Sequence, residues 1–243
     1  MDIPAFATDE GVERVLVVVA HPDDIDFGTA GSVATWTDAG IEVTYCLVTS
    51  GEAGGDDRTL ARPDMAALRE EEQTNAAKQV GVSDLRFLGY PDGRVEYTLD
   101  LRRDISRVIR QVRPQRVISM SPERNYDRVY ASHPDHLATG EATMAAVYPD
   151  SRNPFAHPEL LDLGHEPWTV PQLWVQQRGG GNVYVDMTEH YDRKLAALLS
   201  HESQIPSREW AEEVLRMWGK VNAEYAGLPD GRMCELFRAI DAT

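Results

Sequence analysis

The sequence predicts an α/β fold, doubly wound and Rossmann-like, with a mostly parallel sheet, helices on both faces and a single domain spanning residues 1–243. Three observations point there. Val15-Leu16-Val17-Val18-Val19-Ala20 is an unbroken apolar run without alternation, the pattern of a strand covered on both faces. Short β-branched runs then alternate with longer helical patterns, which calls for right-handed crossovers. The 14 prolines and 18 glycines are dispersed and no repeat or low-complexity tract occurs, so disordered and solenoid classes fall away.

Taken in order, Val15 to Ala20 is the first central strand. Apolar spacing from Thr29 to Ala39 suits a helix closed by Gly40, and Ile41 to Thr49 is the second strand. A loop rich in Gly and Asp, Ser50 to Asp57, precedes a helical pattern from Met65 to Val80 that stops at Gly81. Leu85 to Leu88 is a short third strand, Leu99 to Val112 a helix closed by Arg113-Pro114, and Arg116 to Met120 a fourth strand. A helix from about Pro134 to Val147 follows. The stretch from Pro149 to Pro171 is long for a structureless connection, so it is expected to pack near the site or cover it. Leu173 to Gln177 and Val183 to Met187 are strands joined through Gly179 to Gly181, read as a hairpin turn, and Tyr191 to His201 and Ser207 to Val221 are closing helices.

Forty acids against 24 bases give a formal charge of -16 with no basic run, a balance that repels nucleic acid. The longest strongly apolar run falls far short of the roughly 20 residues of a membrane span, and the acidic N-terminus lacks a secretory pattern, so a cytoplasmic location without a membrane partner is expected. Cys46 and Cys234 sit in apolar surroundings without CxxC spacing and read as buried thiols. The absence of GxGxxG, GxxxxGK[ST] and GxSxG removes nucleotide-binding and serine-hydrolase readings. Homo-oligomerisation is left open.

In a doubly wound sheet, ligands lie outside the carboxyl ends of the strands. His21-Pro22-Asp23-Asp24 stands directly after the first strand. With Pro22 at the first helical position, His21 and Asp24 converge while Asp23 projects separately. His133-Pro134-Asp135-His136 repeats the design after the fourth strand. A capped helix start explains one copy, but His is a mediocre cap beside Ser or Asp, and two copies at the catalytic end point to a metal. His21, Asp24 and His136 form a three-ligand set that suits catalytic zinc, with ferrous iron as the alternative. Asp23 is the candidate base toward a water acidified by the ion. His133, held by a carboxylate such as Asp135, would face the oxyanion or donate to the leaving amine. His157, His165, His190 and His201 are further candidates for the pocket, His201 foremost.

At these residues the chain resembles the PIG-L/LmbE-like N-acetylglucosaminyl deacetylase family, which includes deacetylases of mycothiol and bacillithiol precursors. The likeness runs from Val15 through His21 to Asp24, Thr49 to Gly54, Arg69 with Glu72, Leu88 to Gly93 and His133 to His136, with Lys194 to Gln204 similar to the family's segment ending in His-x-Ser-Gln. It implies a zinc-dependent deacetylase with the same metal set, Asp23 as base and His133 as electrostatic stabiliser or acid. It also implies that Arg69 and Asp92 contact sugar hydroxyls. The departure is Ile25: many members carry Glu directly after the two Asp residues, whereas here the acid is Asp26.

The expected function is therefore metal-dependent hydrolysis of an N-acetyl group from a small amino-sugar molecule. The alternatives are an amidase acting on thiol conjugates or another N-acylated metabolite, and a metal-containing sugar-binding protein without turnover.

Overall fold

The computed structural model describes residues 3–177 and 180–243. Along the chain run β1 (Ala5–Phe6), β2 (Arg14–Val19), α1 (Asp24–Gly28), α2 (Ala30–Asp38), β3 (Glu42–Thr49), α3 (Arg62–Gln79), β4 (Asp84–Tyr90) and α4 (Leu99–Val112). They are followed by β5 (Arg116–Ser119), α5 (Pro134–Ala145), α6 (Glu159–Asp162), β6 (Gln172–Gln177), β7 (Val183–Asp186), α7 (Tyr191–Leu199), α8 (Arg208–Tyr225) and β8 (Cys234–Asp241). Among the described residues no helix is long and apolar enough to cross a membrane.

The unbroken apolar run explains where β2 lies. Val15, Val17 and Val19 enter one core with Val33, Trp36, Ala76 and Ala77 of α2 and α3, while Leu16 and Val18 enter a second core with Leu101, Ile105 and Ile109 of α4 and Ala142 of α5. A strand needs apolar side chains in both directions only when both faces are covered, and each buried Val or Leu contributes about 1.5–3 kcal/mol. The sheet order is β1-β7-β8-β6-β5-β2-β3-β4, and every pairing is parallel except those of β8 with β6 and β7. The doubly wound class is as expected. Gly40 and Gly81, at φ +81° and +82°, end α2 and α3 in the left-handed region that favours glycine.

From β2 the chain winds outward through β3 and β4, then returns to place β5 on the other side of β2. The crevice between the carboxyl ends of β2 and β5 is therefore the topological switch point, where a doubly wound sheet binds its ligands. Both His-Pro-Asp turns follow these two strands.

Three expectations are corrected here. β8 was not anticipated, and it separates β6 from β7: both pair with it, one on each side, so they do not form a hairpin. Gly179 lies outside the described residues, but Gly181 passes so close over β8 that a Cβ there would meet the Phe237 carbonyl oxygen at 2.7 Å. β1 was likewise unforeseen, a two-residue edge strand on β7. Finally, the 149–171 segment does not cover the site. Because α5 runs from the carboxyl to the amino end of the sheet and β6 starts at the amino end, the connection begins and ends away from the switch point. It is fastened to α4: Arg110 donates to the carbonyls of Asp150, Ser151, Asn153, Ala156 and His165, and Arg102 grips the Asp150 carboxylate with bonds of 2.9 and 2.7 Å. Trp168 Nε1 donates to Pro114 O at 2.7 Å, at the amino end of β5.

Candidate active site

The two His-Pro-Asp turns fold differently. In the second, Pro134 opens α5 as expected, with His133 as N-cap accepting from the Asp135 amide through Nδ1 at 3.2 Å. In the first, Pro22 does not open a helix. Asp23 is the N-cap, at φ 89°, and α1 starts at Asp24. His21 and Asp24 still converge, because the Asp24 carboxylate folds back to accept from the His21 amide at 2.8 Å.

Across the switch point three donor groups meet. His21 Nδ1 lies 3.2 Å from His136 Nε2 and 3.3 Å from Asp24 Oδ2, and Asp24 Oδ1 lies 3.1 Å from His136 Nε2. A tetrahedral ion with bonds of about 2.1 Å separates its ligands by about 3.4 Å, so the spacing fits one small cation. His133 adjoins this group, its ring centroid 4.9 Å from that of His21 and 5.1 Å from that of His136. His21, His133 and His136 offer nitrogens all within 4.8 Å of one another.

A second grouping shares His21. Its Nε2 faces Asp92 Oδ1 at 3.1 Å and Asp135 Oδ2 at 3.2 Å. These carboxylates are already engaged, Asp92 by the Ala53 amide at 2.9 Å and Asp135 by the amides of Gly93 and Val95 at 2.7 and 3.3 Å. Such an arrangement orients an imidazole from behind, with Nε2 as the N–H and Nδ1 turned to Asp24 and His136. Asp135 therefore serves His21 rather than holding the His133 ring with its carboxylate, and His133 is held by the Asp135 backbone instead. Asp92 is buried, with Oδ1 turned toward His21.

Arg69 is buried on α3 and donates to Gly51 O, Pro22 O and Asp23 Oδ2 at 2.8, 2.7 and 2.9 Å, so its guanidinium clamps Asp23. Its neighbour Glu72 accepts from the amide and hydroxyl of Ser203, both at 2.7 Å. Among the other histidines, His157 lies against Asp150, His165 against Gln111 and His190 near Asp38, all outside this cluster. His201 alone approaches it, through Asp26 at 2.8 Å. Gln73, which sequence reasoning missed, accepts from the Asp23 amide at 2.9 Å. The available signal was its i+4 spacing from Arg69 on one helix face.

Electrostatically the cluster is built for positive charge. Burial opposes protonation of His21, but hydrogen bonds to Asp135, Asp24 and Asp92 outweigh it and push its pKa up to about 12. Burial likewise works against the Asp24 charge, yet the His136 and His21 rings hold its pKa well below the carboxylate range. Asp23 moves the other way: burial and the adjacent Asp24 charge raise it to about 6, against the pull of Arg69. Burial, with the charges of His21 and His136, lowers His133.

Fold and cluster together define a doubly wound α/β protein with imidazole and carboxylate donors close enough to hold a cation at its switch point. Residues 16–147 match the family model PIG-L, GlcNAc-PI de-N-acetylase, and the chain belongs to this family. It is 32% identical over 220 residues to the diacetylchitobiose deacetylase of Thermococcus kodakarensis, covering 90% of this chain and 80% of the relative. It is 33% identical over 202 residues to the probable N-acetyl-alpha-D-glucosaminyl L-malate deacetylase 2 of Bacillus anthracis, covering 80% and 83%. The solved N,N'-diacetylchitobiose deacetylase of Pyrococcus horikoshii, complexed with its inhibitor MPG, superposes with a TM-score of 0.87 at 28% identity, covering 96% of this chain and 86% of that one.

Proposed function

We propose that this protein is a zinc-dependent hydrolase that removes the acetyl group from an N-acetylglucosamine unit of a small molecule, with His21, Asp24 and His136 as the metal ligands. The observation that carries the reading is the convergence of His21 Nδ1, Asp24 and His136 Nε2 within 3.1–3.3 Å at the switch point. The substrate class rests on the family membership and on the amino-sugar deacetylases it is similar to.

A divalent cation, which His21, Asp24 and His136 would hold, would supply Lewis acidity toward an amide carbonyl and lower the pKa of water. Asp23 takes the proton from the attacking water. Its carboxyl is poised near 6, close enough to neutrality both to accept a proton and to give it up. Arg69 holds that carboxylate in place through Oδ2. Asp92 and Asp135 keep the His21 ring oriented through Nε2. Because His133 Nδ1 accepts from the Asp135 amide, its proton resides on Nε2. That N–H stabilises negative charge developing on the carbonyl oxygen and leads toward the departing amine.

The test is amine release over a panel of N-acetyl sugars, with metal analysis of the same preparation. The expected result is free amine and acetate in equal amounts, with one equivalent of zinc per chain. Tight binding of an N-acetyl sugar with no amine from any of them would instead favour a sugar-binding protein, and iron in place of zinc would correct the metal.

A further inference from the structure

We propose that Gln73 is a positioning residue for Asp23, the last link of a buried chain of hydrogen bonds that starts at His201 and passes through Asp26. The proposal rests on the reading of Asp23 as the base. Asp23 sits at φ 89°, a left-handed conformation that a residue with a side chain keeps only when its surroundings hold it there. Its amide donates to Gln73 Oε1 at 2.9 Å. The other end of the same carboxamide, Nε2, donates to Asp26 Oδ2 at 2.9 Å, and His201 Nε2 is 2.8 Å from that same oxygen.

Gln73, Asp26 and His201 are each 0% exposed, so water does not compete for these bonds. A carboxamide can be turned over, exchanging its oxygen and its NH2. Here chemistry fixes it. In the reversed orientation the carboxamide oxygen would face the Asp26 carboxylate and the NH2 would face the Asp23 N–H, losing two hydrogen bonds for two repulsions. Asp26 thus selects the orientation in which Gln73 can accept from Asp23. Arg69, one helical turn before Gln73 on α3, holds the Asp23 carboxylate. One helix face therefore fixes the backbone and the side chain of the base, while the three converging donor groups of His21, Asp24 and His136 have other supports.

That separation is measurable. Gln73→Met, which keeps the volume and removes both bonds, should lower kcat by about 10- to 100-fold with KM and metal content unchanged, since small displacements of a reacting group cost that much. In an Asp23→Ala background the same substitution should change the residual rate by less than about twofold, because a positioning effect vanishes with the group it positions. Asp26→Asn, which keeps an oxygen for both donors, should stay near the wild-type kcat while Asp26→Ala falls with Gln73→Met, and this pair decides the matter if Gln73→Met does not fold. A wild-type kcat in Gln73→Met, or an equal loss in both backgrounds, overturns the proposal while leaving Asp23 as base. Full activity in Asp23→Ala overturns the base assignment and the proposal with it.

Discussion

The two ends of β5 hold buried charge in opposite ways. At the amino end Arg116 is 0% exposed, and each face of its guanidinium has its own partner. Nε donates to Gln172 Oε1 at 2.9 Å, one terminal nitrogen to Asp9 at 2.6 Å and the other to Thr8 O at 2.9 Å, with the group 3.7 Å from the Trp174 ring centroid. At the carboxyl end, His136 and His21 point nitrogens at each other and at Asp24, so three ligand-type groups crowd together. A buried charge whose every bond is met belongs to the scaffold. Two imidazoles and a carboxylate crowded at the end of the sheet form a set that can exchange its protons for one cation, and that distinction separates scaffold from chemistry here.

The largest expected effect is at the carboxyl end alone. Stripping metal with a chelator should abolish amine release and restoring zinc should return it, while far-ultraviolet circular dichroism stays unchanged. Next, Arg116→Met should cost about 1–3 kcal/mol in urea unfolding, since it leaves the acceptors at Gln172, Thr8 and Asp9 without their donor, yet keep the turnover per folded molecule. A loss of turnover at unchanged stability would erase the contrast between the two ends. Asp92→Asn should weaken metal affinity by about 10- to 100-fold in a competition titration with little change in the unfolding midpoint, as removal of an orienting carboxylate does.

The smallest effect lies on the acid side. Burial pushes the Asp150 carboxyl up, but its bonds to Arg102 and His157 outweigh this and hold it below its ordinary pKa. A depressed folded pKa gives stability that is full above the unfolded value, about 3.9, and is lost as pH falls through the folded one. Asp150→Asn should therefore be less stable than wild type at neutral pH, and the gap should narrow below about pH 4 in urea titrations at each pH.

Most of the sheet was legible because its strands announce themselves locally. The β2 run has no polar face, and helix ends carry Gly40, Gly81 or Arg113-Pro114. β8 was not, because Cys234 to Asp241 mixes Glu235, Arg238 and Asp241 into its apolar residues, and only tertiary context inserts it between β6 and β7. At the site, the meeting of His21, Asp24 and His136 was readable from residue types that recur at the carboxyl ends of strands. The partners of Arg69, Asp92 and Asp135 were not, since sequence spacing shows neighbours along a helix but not across loops. Arg69 reaches Asp23, 46 positions away, and Asp135 reaches His21, 114 positions away. Gln73 was hidden for the same reason, an uncharged residue within an acidic helical stretch.

The most direct measurement is metal content and turnover side by side for Asp23→Ala and His136→Ala. Asp23→Ala should keep close to one equivalent of metal while amine release collapses, and His136→Ala should lose both. Equal loss of metal in the two variants, or unimpaired turnover in His136→Ala, would contradict the division between the residues that hold the ion and the residue that moves the proton.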